Sequence, residues 1–234
     1  MLFRSVVVAQ LINPGTCVIM GGVQSIMDMQ YSVYAYGAPE LGLLSAALTE
    51  MAQYVGLPMF STAGCTDTKI LDPQGAIEAA TSVHSAMLSG ANFIHDVGYF
   101  ESGMTGSVLQ LVMADEQIGM SHVVARGIDI NDETLAVEEI CNAGPGGNYS
   151  DTDHTKKFAA SLWQPTLMDR RSYEDWAAQG RKTMKDRIIE KTRDIIANFE
   201  GPISKVPEDT KKKIADILQA AETREAENAG AENK

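Results

Sequence analysis

Cationic side chains, cysteines and tryptophans are the scarce components of this 234-residue chain. Lysine and arginine together number 19 against 31 aspartates and glutamates, a formal net charge of −12. A surface so poor in cations argues against nucleic acid as a partner, because phosphate binding needs basic side chains. The same field attracts cationic small molecules. Cys17, Cys65 and Cys141 are odd in number and far apart, which argues against a disulfide framework and suits free thiols in a reducing compartment. No Cys/His pairing has the spacing of a zinc site, so no metal centre is expected. The chain has no run of ~18 apolar residues and no basic segment leading into an apolar core before a cleavage site. A soluble, cytoplasmic protein with no membrane partner is therefore expected. The turn Gly144-Pro-Gly-Gly147 lacks the preceding strand and the lysine of a phosphate-binding loop.

What is present is a repeated strand-loop-helix plan. Thr16–Met20, Leu57–Thr62 and Ala91–Ile94 read as short apolar strands. Their starts lie about 35–40 residues apart, the length of a βα unit with extended loops. A long loop runs from Ser25 to Gly37. Pro39 and Glu40 then open a helix with Leu43, Leu44, Ala47, Leu48, Met51 and Val55 as its apolar stripe, closed by Gly56. A second helix opens on the cap Asp72-Pro73 and carries Ile77, Ala80, Val83, Ala86 and Met87. A third spans roughly 107–126. This repeat predicts a parallel α/β sheet and does not separate a barrel from a doubly wound sheet. Beyond Gly127 the chain turns helical, with helices expected over 132–142, 182–199 and 207–221, and the acidic tail 222–234 is expected to be disordered. Only three barrel-type strands can be found where a closed barrel needs eight. The residues before Pro14-Gly15 read as the end of a helix, so an N-terminal half is expected to be missing.

Chemically capable side chains gather where two of these strands end. Thr62 runs into Ala63-Gly-Cys-Thr-Asp-Thr-Lys69, and Ile94 runs into His95-Asp-Val-Gly-Tyr-Phe-Glu-Ser-Gly103. The C-terminal ends of strands are where α/β barrels keep their active sites. His95 beside Asp96 supplies an imidazole held by a carboxylate. Tyr99, Phe100 and Glu101 combine aromatic faces with a negative charge, which suits an alkylammonium cation. Tyr31, Tyr34 and Tyr36 offer further rings or plain packing. Cys65 follows a glycine but has no nearby histidine to activate it, so a neutral thiol is its default state. Asp67 is a second carboxylate of this loop, and Lys69 reads as a salt-bridge residue. Asp28 faces a pocket or caps a turn. His84 and His122 read as structural or solvated, with His154 a minor candidate near the glycine turn.

Taken together, several segments resemble one known family, the trimethylamine methyltransferases and their non-pyrrolysine relatives that demethylate quaternary amines. These are Gly22-Val-Gln-Ser-Ile-Met-Asp-Met29, Tyr36-Gly-Ala-Pro-Glu40, Ser61–Lys69, Ser89–Tyr99 with Glu101-Ser-Gly103, and Gly144–Gly147. The likeness runs in order up to about Trp176. It implies the C-terminal half of a TIM (β/α)8 barrel over 1–127, followed by a helical C-terminal region of the same domain over 128–221. The implied activity moves a methyl group from a small methylated amine to the Co(I) centre of a separate corrinoid protein, so the corrinoid (cobalamin) belongs to that partner and no cofactor is bound directly. Carried over by position, His95, Asp96 and Glu101 become catalytic, and Tyr99, Phe100, Asp28, Cys65 and Asp67 contact the substrate. Pyrrolysine-bearing members encode that residue in this half. The ordinary residues here favour a quaternary donor such as glycine betaine over trimethylamine. Asn148 stands where some relatives carry histidine. Two other readings stay open: an inert truncated barrel that only binds the corrinoid protein, and an unrelated barrel lyase or aldolase using Lys69. Self-association of the full-length protein is left open.

Overall fold

The computed structural model describes residues 2–199 and 206–232, with side chains for 4–199 and 206–224. Helix α1 (Leu2–Ile12) ends at the Pro14-Gly15 turn and leads into the short strand β1 (Met20–Gly21). The expected loop over 25–37 is instead an antiparallel hairpin of β2 (Ile26–Asp28) and β3 (Val33–Ala35). Its turn is closed by the Asp28 carboxylate, which accepts the backbone N–H groups of Gln30 and Tyr31. Helix α2 (Pro39–Tyr54), strand β4 (Met59–Thr62), helix α3 (Pro73–Leu88) and strand β5 (Phe93–His95) then alternate. Strands β6 (Tyr99–Phe100) and β7 (Thr105–Gly106) form a second small hairpin around a 3-10 turn at Glu101–Gly103. Helix α4 (Val108–Arg126) follows, capped by the Ser107 hydroxyl, which accepts the Gln110 N–H.

Strands β1, β4 and β5 pair in parallel in sequential order, with Met20 opposite Met59, Phe60 opposite Phe93 and Thr62 opposite His95. Side chains alternate across such a sheet. Met20 and Met59 are buried in one cluster with Ala52 of α2. Ile19, Phe60 and Phe93 lie on the opposite parity, at 56%, 40% and 53% exposure. Within this segment the strand order never reverses, a sequence of parallel neighbours common to a barrel and to one half of a doubly wound sheet. Among the described residues the sheet is three strands wide and does not close.

The buried face of α2 differs from the expected stripe, and that of α3 matches it only at Val83 and Ala86. α2 buries Leu41, Ser45, Thr49 and Ala52, and α3 buries Gly75, Ala79, Ser82, Val83 and Ala86. Leu43 and Ile77 are 72% and 67% exposed. The helices meet one another through small and polar side chains that hydrogen-bond across or along the backbone. Gln110 and Gln117 of α4 donate to the Gly75 and Ala76 carbonyls of α3.

The helical region beyond α4 contains α5 (Asp132–Leu135), α6 (Val137–Ala143), α7 (Asp153–Ala159), α8 (Tyr173–Ala178) and α9 (Met184–Ala197). Ala136, left-handed at φ 50°, breaks the single helix expected over 132–142. This region is part of the first compact unit, which extends to Asp194, and Leu167 and Ile188 share a cluster with Met113 of α4. Residues 195–234 form a second unit, built on α10 (Glu208–Glu232). The helix continues through the acidic stretch from Glu222, where composition predicted disorder.

One buried carboxylate ties the helical region to α4. Glu116, 4% exposed, accepts the backbone N–H groups of Thr166, Leu167 and Met168 and the Thr166 hydroxyl. Burial disfavours its charge, but these donors together outweigh burial and hold its pKa below the ordinary glutamate value. Glu116→Ala is expected to cost about 2–3 kcal/mol, because it orphans several buried donors at once. A depressed carboxylate pKa contributes stability above the unfolded value, lost as pH falls through the folded one. Urea titration should therefore show the difference between wild type and Glu116→Ala shrinking below about pH 4. The uncovered Phe60/Phe93 face carries a second expectation. The chain should self-associate with rising concentration in size-exclusion chromatography, and Phe60→Glu with Phe93→Glu should reduce this. A sharp monomer peak at all concentrations would contradict it.

Candidate functional site at the strand ends

The ladder between β4 and β5 does not stop at the strands. Ala63 N–H donates to the His95 carbonyl at 2.9 Å, Thr66 N–H and hydroxyl to the Tyr99 carbonyl, Glu101 N–H to the Thr68 carbonyl and Ser102 N–H to the Thr66 carbonyl. The two loops are thus zipped along most of their length. The close approach requires glycine at position 64, where φ is +86° and an added Cβ would lie 2.5 Å from Val97 Cγ1. Residues 61–66 are buried.

This zipper carries left-handed backbone at Asp96 (φ 79°), Glu101 (φ 50°) and Ser102 (φ 52°). Non-glycine residues in this region cost of order 1 kcal/mol each and cluster at functional sites. Asp96 Oδ1 sits 2.8 Å from His95 Nδ1, and His95 Nε2 lies 3.1 Å from the Thr62 hydroxyl. The carboxylate fixes the ring proton on Nδ1, leaving Nε2 to accept from Thr62. The imidazole face stacks on Phe60 at 4.3 Å with 15° between planes. His95 is therefore fixed at both nitrogens and on one face, and its side chain and that of Asp96 remain 33% and 25% exposed.

The other expected residues divide. Tyr99 is 41% exposed, and Glu101 is exposed, its carboxylate accepting from Thr105. Phe100 is turned the other way, 5% exposed, with its ring under Gly75 of α3, so it packs the helix layer rather than an open face. Asp28 closes its own hairpin turn. Asp67 is saturated: Oδ1 accepts from Tyr36 N–H and the Ser102 hydroxyl, and Oδ2 accepts from Gly37 N–H. It is a tether and not a free ligand. Lys69 is exposed and donates to the Asp67 carbonyl at 2.6 Å. It makes no salt bridge among the described residues and has none of the apolar enclosure a Schiff-base lysine needs. His84 bonds Ser121 and His154 bonds the Glu133 carbonyl, both away from the strand ends. The Gly144 turn closes on itself through Gly147 N–H.

Cys65 is buried, its Sγ 3.9 Å from where a Cβ on Gly103 would lie. Burial first, then the Asp96 carboxylate, pushes its thiol up to about 12, against a smaller opposing effect from the Thr66 N–H. Tyr36 is pushed to about 12 by burial and then by Asp96 and Cys65. Thr62, Tyr36 and Glu78, whose carboxylate accepts the Asp67 N–H at 2.7 Å, complete the cluster. Of these only Tyr36 is a candidate from sequence. Among the described residues no group of three or more His, Cys, Asp or Glu side chains is placed to hold a metal ion, and no helix is long and apolar enough to cross a membrane.

The family described as trimethylamine methyltransferase (MTTB) matches residues 2–227. The chain belongs to the trimethylamine methyltransferase family. It is 38% identical over 199 residues to the trimethylamine methyltransferase MttB of Methanosarcina thermophila, covering 85% of this chain and 41% of that protein. It is 35% identical over 216 residues to the MttB of Desulfitobacterium hafniense (strain DSM 10664 / DCB-2), covering 92% and 42%. A glycine betaine methyltransferase of Desulfitobacterium hafniense (strain Y51) is 34% identical over 196 residues, covering 83% and 41%. The chain thus spans about two fifths of the length of these family relatives.

The state of Cys65 is open to direct test. A thiol held near 12 stays protonated at neutral pH and reacts slowly. At pH 8 iodoacetamide should label the exposed Cys17 and Cys141 well before Cys65, read by peptide mass spectrometry. Cys65 labelled as fast as the others would contradict its burial and its protonated state.

Proposed function

We propose that this chain supplies the methyl-donor face of a methyltransferase whose substrate is a methylated, cationic amine. The single observation that carries the reading is the His95–Asp96 pair, fixed by Thr62 and Phe60 at a strained strand end, in a chain of this family. The sequential parallel strands, with their paired methionine side buried and the opposite parity open, support reading the first 127 residues as consecutive units of a (β/α)8 barrel. The strand ends then face the barrel mouth.

The chemistry asked of these residues is modest. Transfer breaks a C–N bond, and its electron pair stays on nitrogen, which departs as an amine. The methyl carbon bonds to a two-electron nucleophile, which we take to be the Co(I) centre of a corrinoid carried by a separate protein. A quaternary nitrogen is already a leaving group, so no general base is required. This agrees with a His95 whose nitrogens are both engaged and a Cys65 that is a protonated thiol. The protein's contribution is to hold the cation in line and keep water away. Asp96 and Glu101 supply negative charge and Tyr99 an aromatic face. Relatives are named for trimethylamine and for glycine betaine. Pyrrolysine-bearing members of the family encode that residue in this half, and the ordinary residues here favour the quaternary donor.

The test uses the protein expressed from its complete open reading frame, with Co(I) corrinoid protein and visible spectroscopy following its methylation. His95→Ala and Glu101→Gln should each lower transfer by about 30- to 1,000-fold, the loss of one positioned contact. Circular dichroism should remain unchanged. Glycine betaine or a similar cation should serve as donor where trimethylamine does not. Wild-type rates in both variants would return these residues to a packing role, and trimethylamine turnover would overturn the substrate assignment.

A further inference from the structure

We propose that Tyr36 is the aromatic contact for the cationic donor, held in place by a lock of Asp67, Gly37 and Glu78 that joins the β2–β3 hairpin exit to the strand-end loops. The inference rests on the function proposed above and deepens it. Asp67 Oδ1 receives both the Tyr36 N–H at 2.9 Å and the Ser102 hydroxyl at 2.7 Å, so the backbone of Tyr36 and the strained Glu101–Ser102 turn meet on one oxygen atom. Oδ2 takes the next N–H, from Gly37, at 2.9 Å. One carboxylate thereby fixes two consecutive peptide groups against the site, a geometry that sets the direction in which residue 36 leaves the backbone.

The lock has a second bolt. Glu78 of α3 accepts the Asp67 N–H at 2.7 Å and the Gln74 amide at 2.7 Å. Its carboxylate occupies the space of any side chain at position 37, where an added Cβ would fall 2.4–2.7 Å from the carboxylate atoms. A side chain at 37 would push the Glu78 carboxylate off its hydrogen bonds to Asp67 and Gln74. Tyr36 itself is half-buried, its ring edge-on to Tyr34 at 5.3 Å and 68°. The shared oxygen Asp67 Oδ1 sets residue 36 against the Ser102 turn and the loop that carries Cys65, and there burial first, then the Asp96 carboxylate and the Cys65 thiol, raise the pKa of its phenol. A neutral ring held beside a carboxylate and partly shielded from water is the arrangement in which a cation–π contact is strongest.

The experiment labels the chain with 3-fluorotyrosine and follows its seven tyrosines by fluorine NMR during titration with tetramethylammonium chloride, with sodium chloride as the control. The resonance that disappears in Tyr36→Phe should move with the organic cation and not with sodium. Tyr36→Leu should weaken binding about three- to thirtyfold, the size of one cation–π contact, and Tyr31→Leu should not. Asp67→Asn puts an amide where Gly37 needs an acceptor, and Gly37→Ala displaces Glu78. Each should weaken binding to a similar extent while leaving the circular dichroism intact. A moving Tyr99 resonance with a stationary Tyr36 would overturn this inference and leave the proposed function standing. No tyrosine responding at all would overturn both. Unchanged affinity in Asp67→Asn and Gly37→Ala would overturn the lock.

Discussion

The hydrogen-bonded zipper that extends the β4–β5 pairing past the strands is what the rest of the site depends on. A loop after a parallel strand ordinarily leaves its peptide groups to water. Here the N–H groups of Ala63, Thr66, Glu101 and Ser102 are all received by carbonyls of the facing loop. That pairing buries residues 61–66 and leaves Cys65 without solvent. It also forces the backbone through left-handed conformations at Asp96, Glu101 and Ser102. The strain has a use. It turns Asp96 back onto the imidazole of its own neighbour, which a continuing strand would carry to the opposite face.

Negative charge is distributed unequally around this zipper. Asp67 and Glu78 spend their oxygens on backbone donors and hold the hairpin exit, the loop and α3 together. Asp96 and Glu101 stay partly open. The site thus separates carboxylates that position from carboxylates that present charge outward. The aromatic row Phe93–Phe60–His95 along the sheet's open face runs up to the second kind. A cation meeting this surface finds charge and π-faces that need little reorganisation, the condition under which electrostatic stabilisation is most effective.

The strand exits and helix starts were legible in sequence because they rest on local signals. Asp72 accepts the Gly75 N–H and Ser107 the Gln110 N–H as their residue types require, and the His95–Asp96 pair meets as its adjacency suggested. The buried face of α2 was not legible, and that of α3 only in part, with Val83 and Ala86 buried as expected and Ile77 not. Their sequences carry apolar residues on more than one side, and periodicity cannot say which side meets a neighbour. The observed contacts use Ser45, Thr49, Ala79 and Ser82, which look polar or small in a stripe analysis. The β2–β3 hairpin escaped because its strands are short and largely exposed, with no alternation to read. Phe100 and Asp67 were misplaced for a related reason: residue type names a capability, whereas the fold decides which face a two-residue strand presents and whether a carboxylate's oxygens are already engaged.

The strand-end loops form a fixed, preorganised ledge. Residue-resolved hydrogen exchange on the chain tests this most directly. The amides of Ala63, Thr66, Glu101 and Ser102 are predicted to exchange as slowly as those of β4 and β5, with protection lost together when Gly64→Val forces the loops apart. Exchange of these four amides at the rate of an open loop, with β4 and β5 protected, would contradict the account.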